Sequence, residues 1–296
     1  MRHLAEYIAL AFAALPFVIL PRRFALRCGE AFGLLCFLTL KRRRAIAVGN
    51  LSAVQRRGLL SDKRPPELIA RDCFRNIGRT FADIARMSYG IDRDQVEKVR
   101  IEGMEHVEAA MNSGRGYIMV TGHFANWELV AMASAPRLSV ATAVARRQKN
   151  PYLDRLVIRN RKSRGSEVVY KEGAIKQFMS ALNEGRGVGM ILDEPVSPEA
   201  GTPVEFLGLS AGFHKTLYSL SKRYGAPVLP FFTRYDGSGG YVMKILPELE
   251  MSGSEIEDTQ RVASVLEGFI LENPTEWLQW FRKWTWARER DEGTVT

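Results

Sequence analysis

At 296 residues the chain is long enough for one large α/β domain or two small ones, and for a sizeable buried core. A composition of 46% hydrophobic, 25% charged and 10% aromatic residues excludes a disordered or fibrous chain. The net charge of +9 calls for an acidic partner: anionic lipid, nucleic acid, a phosphorylated substrate or an acidic carrier protein. Cys28, Cys36 and Cys73 are odd in number and lack CxxC spacing, so they read as free thiols in a reducing compartment. His3, His106, His123 and His214 include no pair with zinc-site spacing, and no metal is expected.

The first apolar stretch, 4–20, carries Glu6 and Pro16 and has no Ala-x-Ala site before Arg22-Arg23, so it is not read as a cleaved signal peptide. It falls slightly short of the ~20 apolar residues of a spanning helix. The second, 24–40, is interrupted by Arg27 and Glu30 and ends at Lys41-Arg42-Arg43-Arg44. Two apolar segments with basic flanks predict a membrane anchor over 1–44, as one tilted span or an interfacial hairpin. The alternative is a buried helical pair. Residues 45–296 are then the main domain. Helix is predicted over 45–90, where Leu68, Ile69, Cys73, Ile77, Phe81 and Ile84 recur at three- to four-residue spacing after Pro65-Pro66.

From about residue 99 the pattern becomes α/β. Short apolar runs at 117–120, 140–144, 168–170, 188–192, 228–232 and 241–245 predict strands, with helices at 173–182 and 213–224 among them. Alternation of this kind predicts a mixed, largely parallel-paired sheet flanked by helices. Gly237-Ser238-Gly239-Gly240 reads as the hairpin turn between the last two strands. The stretch 195–208, with three prolines and two glycines, reads as a loop over a site. Trp277, Trp280, Phe281 and Trp284 recur at i, i+3, i+4 and i+7, which favours a helix buried against the sheet, with interfacial anchoring second.

The chemistry concentrates in Val120-Thr121-Gly122-His123-Phe124-Ala125-Asn126-Trp127-Glu128. An apolar strand runs into a glycine turn, a histidine follows, and a helix begins. Functional groups gather at the carboxyl ends of strands in open α/β sheets. His123 and Glu128 are five residues apart and share no face of a continuous helix, so they meet only if His123 precedes the helix or sits in its first turn. A carboxylate beside an imidazole fixes its tautomer and stabilises the imidazolium, which makes His123 a competent general base. A bare His-x4-Glu is weak; the surrounding pattern is far more specific.

That pattern resembles the signature of the late lipid A biosynthesis acyltransferases of the lauroyl and myristoyl type, within the lysophospholipid acyltransferase superfamily. The family's His-Phe-Gly-Asn-Trp-Glu differs here only at Ala125. The resemblance extends through Arg42-Arg43-Arg44-x5-Asn50-Leu51, although the Phe-Pro-Glu that usually follows is missing. It continues through Val144-Ala145-Arg146, Asn150-Pro151, Gly201-x-x-Val204-x-Phe206-x-Gly208, Gly225-Ala226-Pro227-Val228-x-Pro230 and Pro274-x-x-Trp277-x-x-Trp280. It implies a glycerolipid acyltransferase-like fold, and functional roles for Arg161 and Asp193.

On this reading His123 takes the proton of an acceptor hydroxyl and Glu128 orients and polarises it. Substrate contacts are expected from Arg161, Asp193, Asn126 and Arg146, although Asn126 could equally bind backbone at the helix start. Arg146, Arg147, Lys149, Arg155, Arg159, Arg161, Lys162 and Arg164 form a dense cationic stretch opposed only by Asp154, suited to attracting phosphate, lipid or an acidic carrier. No Gly-x-Ser-x-Gly elbow and no cysteine lies near the motif, which favours direct transfer without an acyl-enzyme. No nucleotide fingerprint is present, and no cofactor is expected. The resemblance implies a donor on acyl carrier protein or coenzyme A, and a glycolipid or phospholipid acceptor, first a lipid A precursor. A lysophospholipid, an aminolipid or a mannosylated phosphoinositide is the alternative. With the free cysteines it implies the inner membrane, the site facing the cytoplasm. A non-enzymatic protein binding anionic lipid or nucleic acid is the competing class; no recognition module supports it, and nucleic acid is not expected as a partner.

Overall fold

Two apolar helices open the chain, α1 (Arg2–Ile19) and α2 (Arg22–Thr39), joined through Leu20 and Pro21. They belong to a computed structural model that describes residues 1–138, 140–145, 147–163, 167–170, 173–194 and 196–278. By length and composition α1 is long and apolar enough to cross a membrane. Leu4, Ile8, Phe12, Leu15 and Ile19 stand exposed along it. Helix α3 (Lys41–Arg56) runs through residue 44, where the anchor was expected to end, and α4 (Pro66–Ser88) follows.

Helix α2 buries Ala25, Leu26, Gly29 and Gly33 against α4. Glycine lets the two backbones touch. A Cβ on Gly33 would lie 2.1 Å from the Phe74 carbonyl oxygen, and one on Gly78 would lie 2.0 Å from that of Gly29. Below the crossing, Phe37 and Phe74 meet edge to face.

The α/β part starts with β1 (Arg100–Glu102), α5 (Met104–Asn112), β2 (Tyr117–Thr121), α6 (Trp127–Leu138), β3 (Val140–Ala145), α7 (Pro151–Lys162) and β4 (Glu167–Tyr170). It continues with α8 (Ala174–Asn183), β5 (Gly187–Ile191), β6 (Thr202–Phe206), β7 (Leu209–Phe213), α9 (Thr216–Tyr224), β8 (Val228–Tyr235), β9 (Tyr241–Ile245) and α10 (Glu255–Glu272). The described residues form a seven-stranded sheet in the order β1-β9-β8-β2-β5-β3-β4. The block from β8 to β4 is parallel, and β9 runs antiparallel to β8. All of β2 is buried, as a strand covered on both faces must be. Tyr117 and Met119 pack with α5 and α6 through Val107, Leu129 and Met132. Ile118 and Val120 pack on the other face with Phe178, Leu217, Leu220 and Leu266.

The predicted mixed α/β sheet, flanked by helices, is therefore present. Two local expectations fail. Residues 202–206, read as part of a loop, form β6, which pairs antiparallel with β7 and packs on α10. Thr202, Val204 and Phe206 are buried while Pro203 and Glu205 are exposed, a period-two pattern that the prolines and glycines masked. Leu207 and Gly208 turn the hairpin with φ of 53° and 72°, the paired positive values of a tight two-residue connection. Phe213, expected to open a helix, ends β7, and α9 starts at Thr216.

The glycine crossing gives a paired prediction. Gly78→Ala should destabilise the protein by about 1–3 kcal/mol, because the backbones must separate. Gly268→Ala, on the open side of α10 with nothing within 4 Å, should be neutral or stabilising. Denaturation of both variants in detergent solution checks this; equal melting would refute the close packing.

Candidate active site

In the ladder between β2 and β5, Thr121 faces Ile191, and Leu192 N–H donates to the Thr121 carbonyl at 2.8 Å. His123 and Asp193 each follow these partners by two residues, so the register brings them together. Asp193 Oδ1 lies 2.8 Å from His123 Nδ1, and Asp193 Oδ2 accepts the His123 backbone N–H at 2.9 Å. Trp277 Nε1–H also donates to Oδ2, at 2.8 Å. Gly122 leaves room for this; a Cβ there would sit 2.6 Å from the Phe124 ring and 3.0 Å from Asp193.

Burial alone would raise the Asp193 pKa. The attraction of His123 and the bonds from His123 and Trp277 outweigh it and hold the carboxyl below its usual range. A carboxylate only accepts, so Nδ1 carries a proton toward Asp193. The His123 side chain keeps 15% of its surface, whereas Asp193 keeps 1%. Nε2 lies 3.9 Å from Glu194 Oε1, and the Trp127 ring stands edge-on to the imidazole at 5.3 Å.

Glu128 is therefore not the carboxylate at Nδ1. It sits in the first turn of α6 and forms a fork with Arg161 of α7. Arg161 Nε donates to Glu128 Oε2 at 2.9 Å and Nη2 donates to Oε1. Burial opposes the charge on Arg161, but the Glu128 bonds prevail and raise its pKa. Nη1 is buried and has no hydrogen-bond partner among the described residues.

Asn126, expected at the substrate, is fully buried and bound to protein. Its Oδ1 caps α6 by accepting Leu129 N–H at 3.0 Å, and its Nδ2 donates to Tyr241 Oη at 3.4 Å. Tyr241 donates onward to Asp83. Arg146 lies outside the described residues. In the cationic stretch, Arg147 stacks on the Tyr170 ring at 4.1 Å and Arg159 donates to the Ser88 carbonyl, leaving Arg155 and Lys162 exposed on α7.

Sequence reasoning placed Trp277 in a helical core stripe. It is buried, but in an extended segment that bridges Phe124. Leu278 N–H donates to the His123 carbonyl at 3.0 Å, and Ala125 N–H donates to the Glu276 carbonyl at 2.9 Å. The usable signal was chemical: a buried indole N–H needs an acceptor, and Asp193 at the end of an apolar strand offers one. Trp280, Phe281 and Trp284 lie outside the described residues. Thr80 Oγ1 donates to the Ala125 carbonyl at 3.0 Å, so α4 and the 276–278 segment grip the loop from two sides.

The family model for bacterial lipid A biosynthesis acyltransferases matches residues 1–285. The chain is 24% identical to a lipid A biosynthesis acyltransferase of Haemophilus influenzae, across 68% of this chain and 66% of that protein. It is 24% identical to the lipid A biosynthesis lauroyltransferase of Escherichia coli K12, across 93% and 89% respectively. It is 23% identical to a phosphatidylinositol mannoside acyltransferase of Mycolicibacterium smegmatis, across 72% and 73%.

Two predictions follow from the loop. Ala125 holds φ at 41°, a left-handed value that glycine adopts without cost. Ala125→Gly should keep activity, whereas Ala125→Val should lose stability by about 1–3 kcal/mol and most turnover, because a β-branched residue resists positive φ. Melting and initial rates of the two variants test this. Burial pushes Glu276 up to about 7, against a usual carboxyl near 4.5. A raised acid stabilises the fold while protonated, and that stability is lost as pH rises from its unfolded pKa through 7. Glu276→Gln should match wild type near pH 4.5 and exceed it at pH 8 by up to about 3 kcal/mol. A stability difference that does not change with pH would refute the assignment.

Proposed function

Because the chain belongs to the bacterial lipid A biosynthesis acyltransferase family, we propose that it moves a fatty acyl group from a thioester to a hydroxyl of a lipid A precursor. The thioester is carried on acyl carrier protein or coenzyme A. The observation that carries this reading is the His123 imidazole, held through Nδ1 by buried Asp193 while its side chain keeps 15% of its surface.

Nε2 removes the acceptor hydroxyl proton as that oxygen attacks the thioester carbonyl. Asp193 keeps the imidazole in the required tautomer and stabilises the imidazolium. The tetrahedral oxyanion collapses, the carbon–sulfur bond breaks, and the imidazolium proton passes to the departing thiolate. The products are an ester and a free thiol, with no acyl-enzyme. The N–H groups at the start of α6, apart from that of Leu129 which Asn126 takes, and Arg161 Nη1 are the donors assigned to the oxyanion or to a substrate phosphate. Glu128 holds that guanidinium in place.

The exposed apolar face of α1 supports attachment to a membrane, with the site on the cytoplasmic side of the inner membrane where both donors are made. The mycobacterial relatives support a second acceptor, a mannosylated phosphoinositide. The reaction is the same for both acceptors.

The test incubates the purified protein with acylated carrier protein or acyl-CoA and a panel of lipid acceptors, with products read by mass. His123→Ala should lower turnover by ~10²–10⁴. Asp193→Asn should be similarly severe, with KM little changed. Product from a mannosylated phosphoinositide alone would reassign the acceptor. Undiminished turnover in His123→Ala would end the mechanism.

A further inference from the structure

Outside the active site, the groove between α2 and α4 stands out for its chemistry. It encloses about 420 Å³ and is lined by Arg27, Glu30, Ala31, Leu34, Arg71 and Arg75. On α2, Phe24, Arg27, Ala31, Leu35 and Leu38 follow one another at three- or four-residue spacing and are all exposed. On α4, Leu68, Arg71 and Arg75 form a matching stripe, with Leu68 and Arg71 exposed. Cationic groups thus line a cleft whose walls continue as bare hydrocarbon.

The charges there are not balanced. Glu30 lies 3.3 Å from Arg75 and 3.5 Å from Arg79. Asp72 lies 2.8 Å from Arg64, 3.6 Å from Arg75 and 3.7 Å from Arg71, and Asp62 is taken by Arg64. Arg27 has no ion pair with any described carboxylate. Four guanidinium groups therefore share three carboxylates; Arg27 has none of them and Arg71 only the long 3.7 Å contact with Asp72, so these two can turn to a ligand. A planar guanidinium pairs well with phosphate oxygens. The required ligand has an anionic phosphate and an apolar tail.

We infer that this groove binds the phosphate headgroup of an anionic membrane phospholipid, whose acyl chains lie along Phe24, Ala31, Leu35 and Leu38. The inference rests on the reading that α1 and α2 meet a membrane. Arg71 and Arg75 leave α4 on the side opposite Cys73 and Thr80, which contact the active-site segments through Pro274 and Ala125. The groove is thus a docking site and not part of the acyl-transfer centre. Bound lipid would fix how the helical pair sits in the headgroup layer and would hold the His123 site at a set height above it.

The test is binding of the full chain to vesicles of phosphatidylcholine alone or with roughly one quarter phosphatidylglycerol. Two double variants are compared. Arg27→Gln with Arg71→Gln removes groove charges, and Lys41→Gln with Arg42→Gln removes two exposed charges outside the groove. Wild type should prefer the anionic vesicles. The groove variant should bind them at least tenfold more weakly than the control variant, while keeping acyl transfer in detergent. Photoactivatable phosphatidylglycerol should label α2 or α4 in wild type and not in the groove variant. Equal loss in the two double variants would mean that only general surface potential is at work and would overturn the site. Failure of wild type to bind either vesicle would overturn the membrane reading of α1 and α2 as well, without touching the His123 mechanism measured in detergent.

Discussion

The arrangement at the site depends on keeping one carboxylate ionised inside the protein. Asp193 is almost wholly removed from water, and three donors hold it charged: His123 Nδ1–H, the His123 backbone N–H and Trp277 Nε1–H. Each donor imposes a demand on a different part of the chain. The imidazole requires β2 and β5 to end in register. The backbone donor requires the turn at Gly122. The indole requires the segment after α10 to return and bridge Phe124. Removing one partner of a buried, hydrogen-bonded charge typically costs about 3–5 kcal/mol. The site therefore ties strand register, turn and C-terminal segment into a single condition.

A second buried carboxylate extends that condition to the N-terminal helices. Asp83 of α4 accepts from Arg22 at 2.5 Å and from Tyr241 Oη. Arg22 also donates to the Gly239 carbonyl at 2.9 Å. Tyr241 accepts from Asn126, and Asn126 caps α6 beside His123. One turn along α4, Arg86 donates to the carbonyls of Phe17 and Leu20, both at 2.6 Å, and binds Asp92. The elbow between α1 and α2 is therefore bonded through a largely buried chain of polar groups to the start of α6. An N-terminal pair held this way cannot shift relative to the sheet without leaving Asp83 or Arg22 unpaired. That is a stronger constraint than hydrophobic contact alone would supply.

Much of this was legible in the sequence where periodicity or local chemistry carries the information. The strands at 117–120 and 188–192, the helical pair before residue 40 and the turn at Gly237–Gly240 follow from apolar spacing and glycine placement. What failed to show was pairing across sequence distance. His123 and Glu128 are neighbours in the motif, so the motif invites them to be read together. The register of β2 and β5 instead gives His123 to Asp193, seventy residues away. Glu128 is turned by the helix toward Arg161. Asn126 could be read as a cap or as a contact, and its complete burial decides for the cap. The hairpin at 202–213 was hidden because Pro203, Gly201 and Gly208 look like loop residues, although only alternate side chains need to be apolar in a half-buried strand.

The separation of the two carboxylates has a chemical consequence. Had Asp193 and Glu128 both faced the imidazole, two negative charges would have stabilised its protonated form and made it a poorer base near neutral pH. Each acid instead has its own cationic or polar partner. Asp193 orients His123, and Glu128 is neutralised by a guanidinium two bonds deep. The imidazole then has the Asp193 carboxylate at Nδ1, while the Glu128 carboxylate is taken by Arg161. Among the described residues Glu194 lies 3.9 Å from Nε2, and at 45% exposure water screens it. The same fork leaves Arg161 with a buried donor, Nη1, that no group among the described residues accepts. A buried donor without a partner is costly in the free enzyme. An anionic oxygen placed there would supply the missing acceptor, which is why the proposed mechanism gives this donor to the oxyanion or a substrate phosphate.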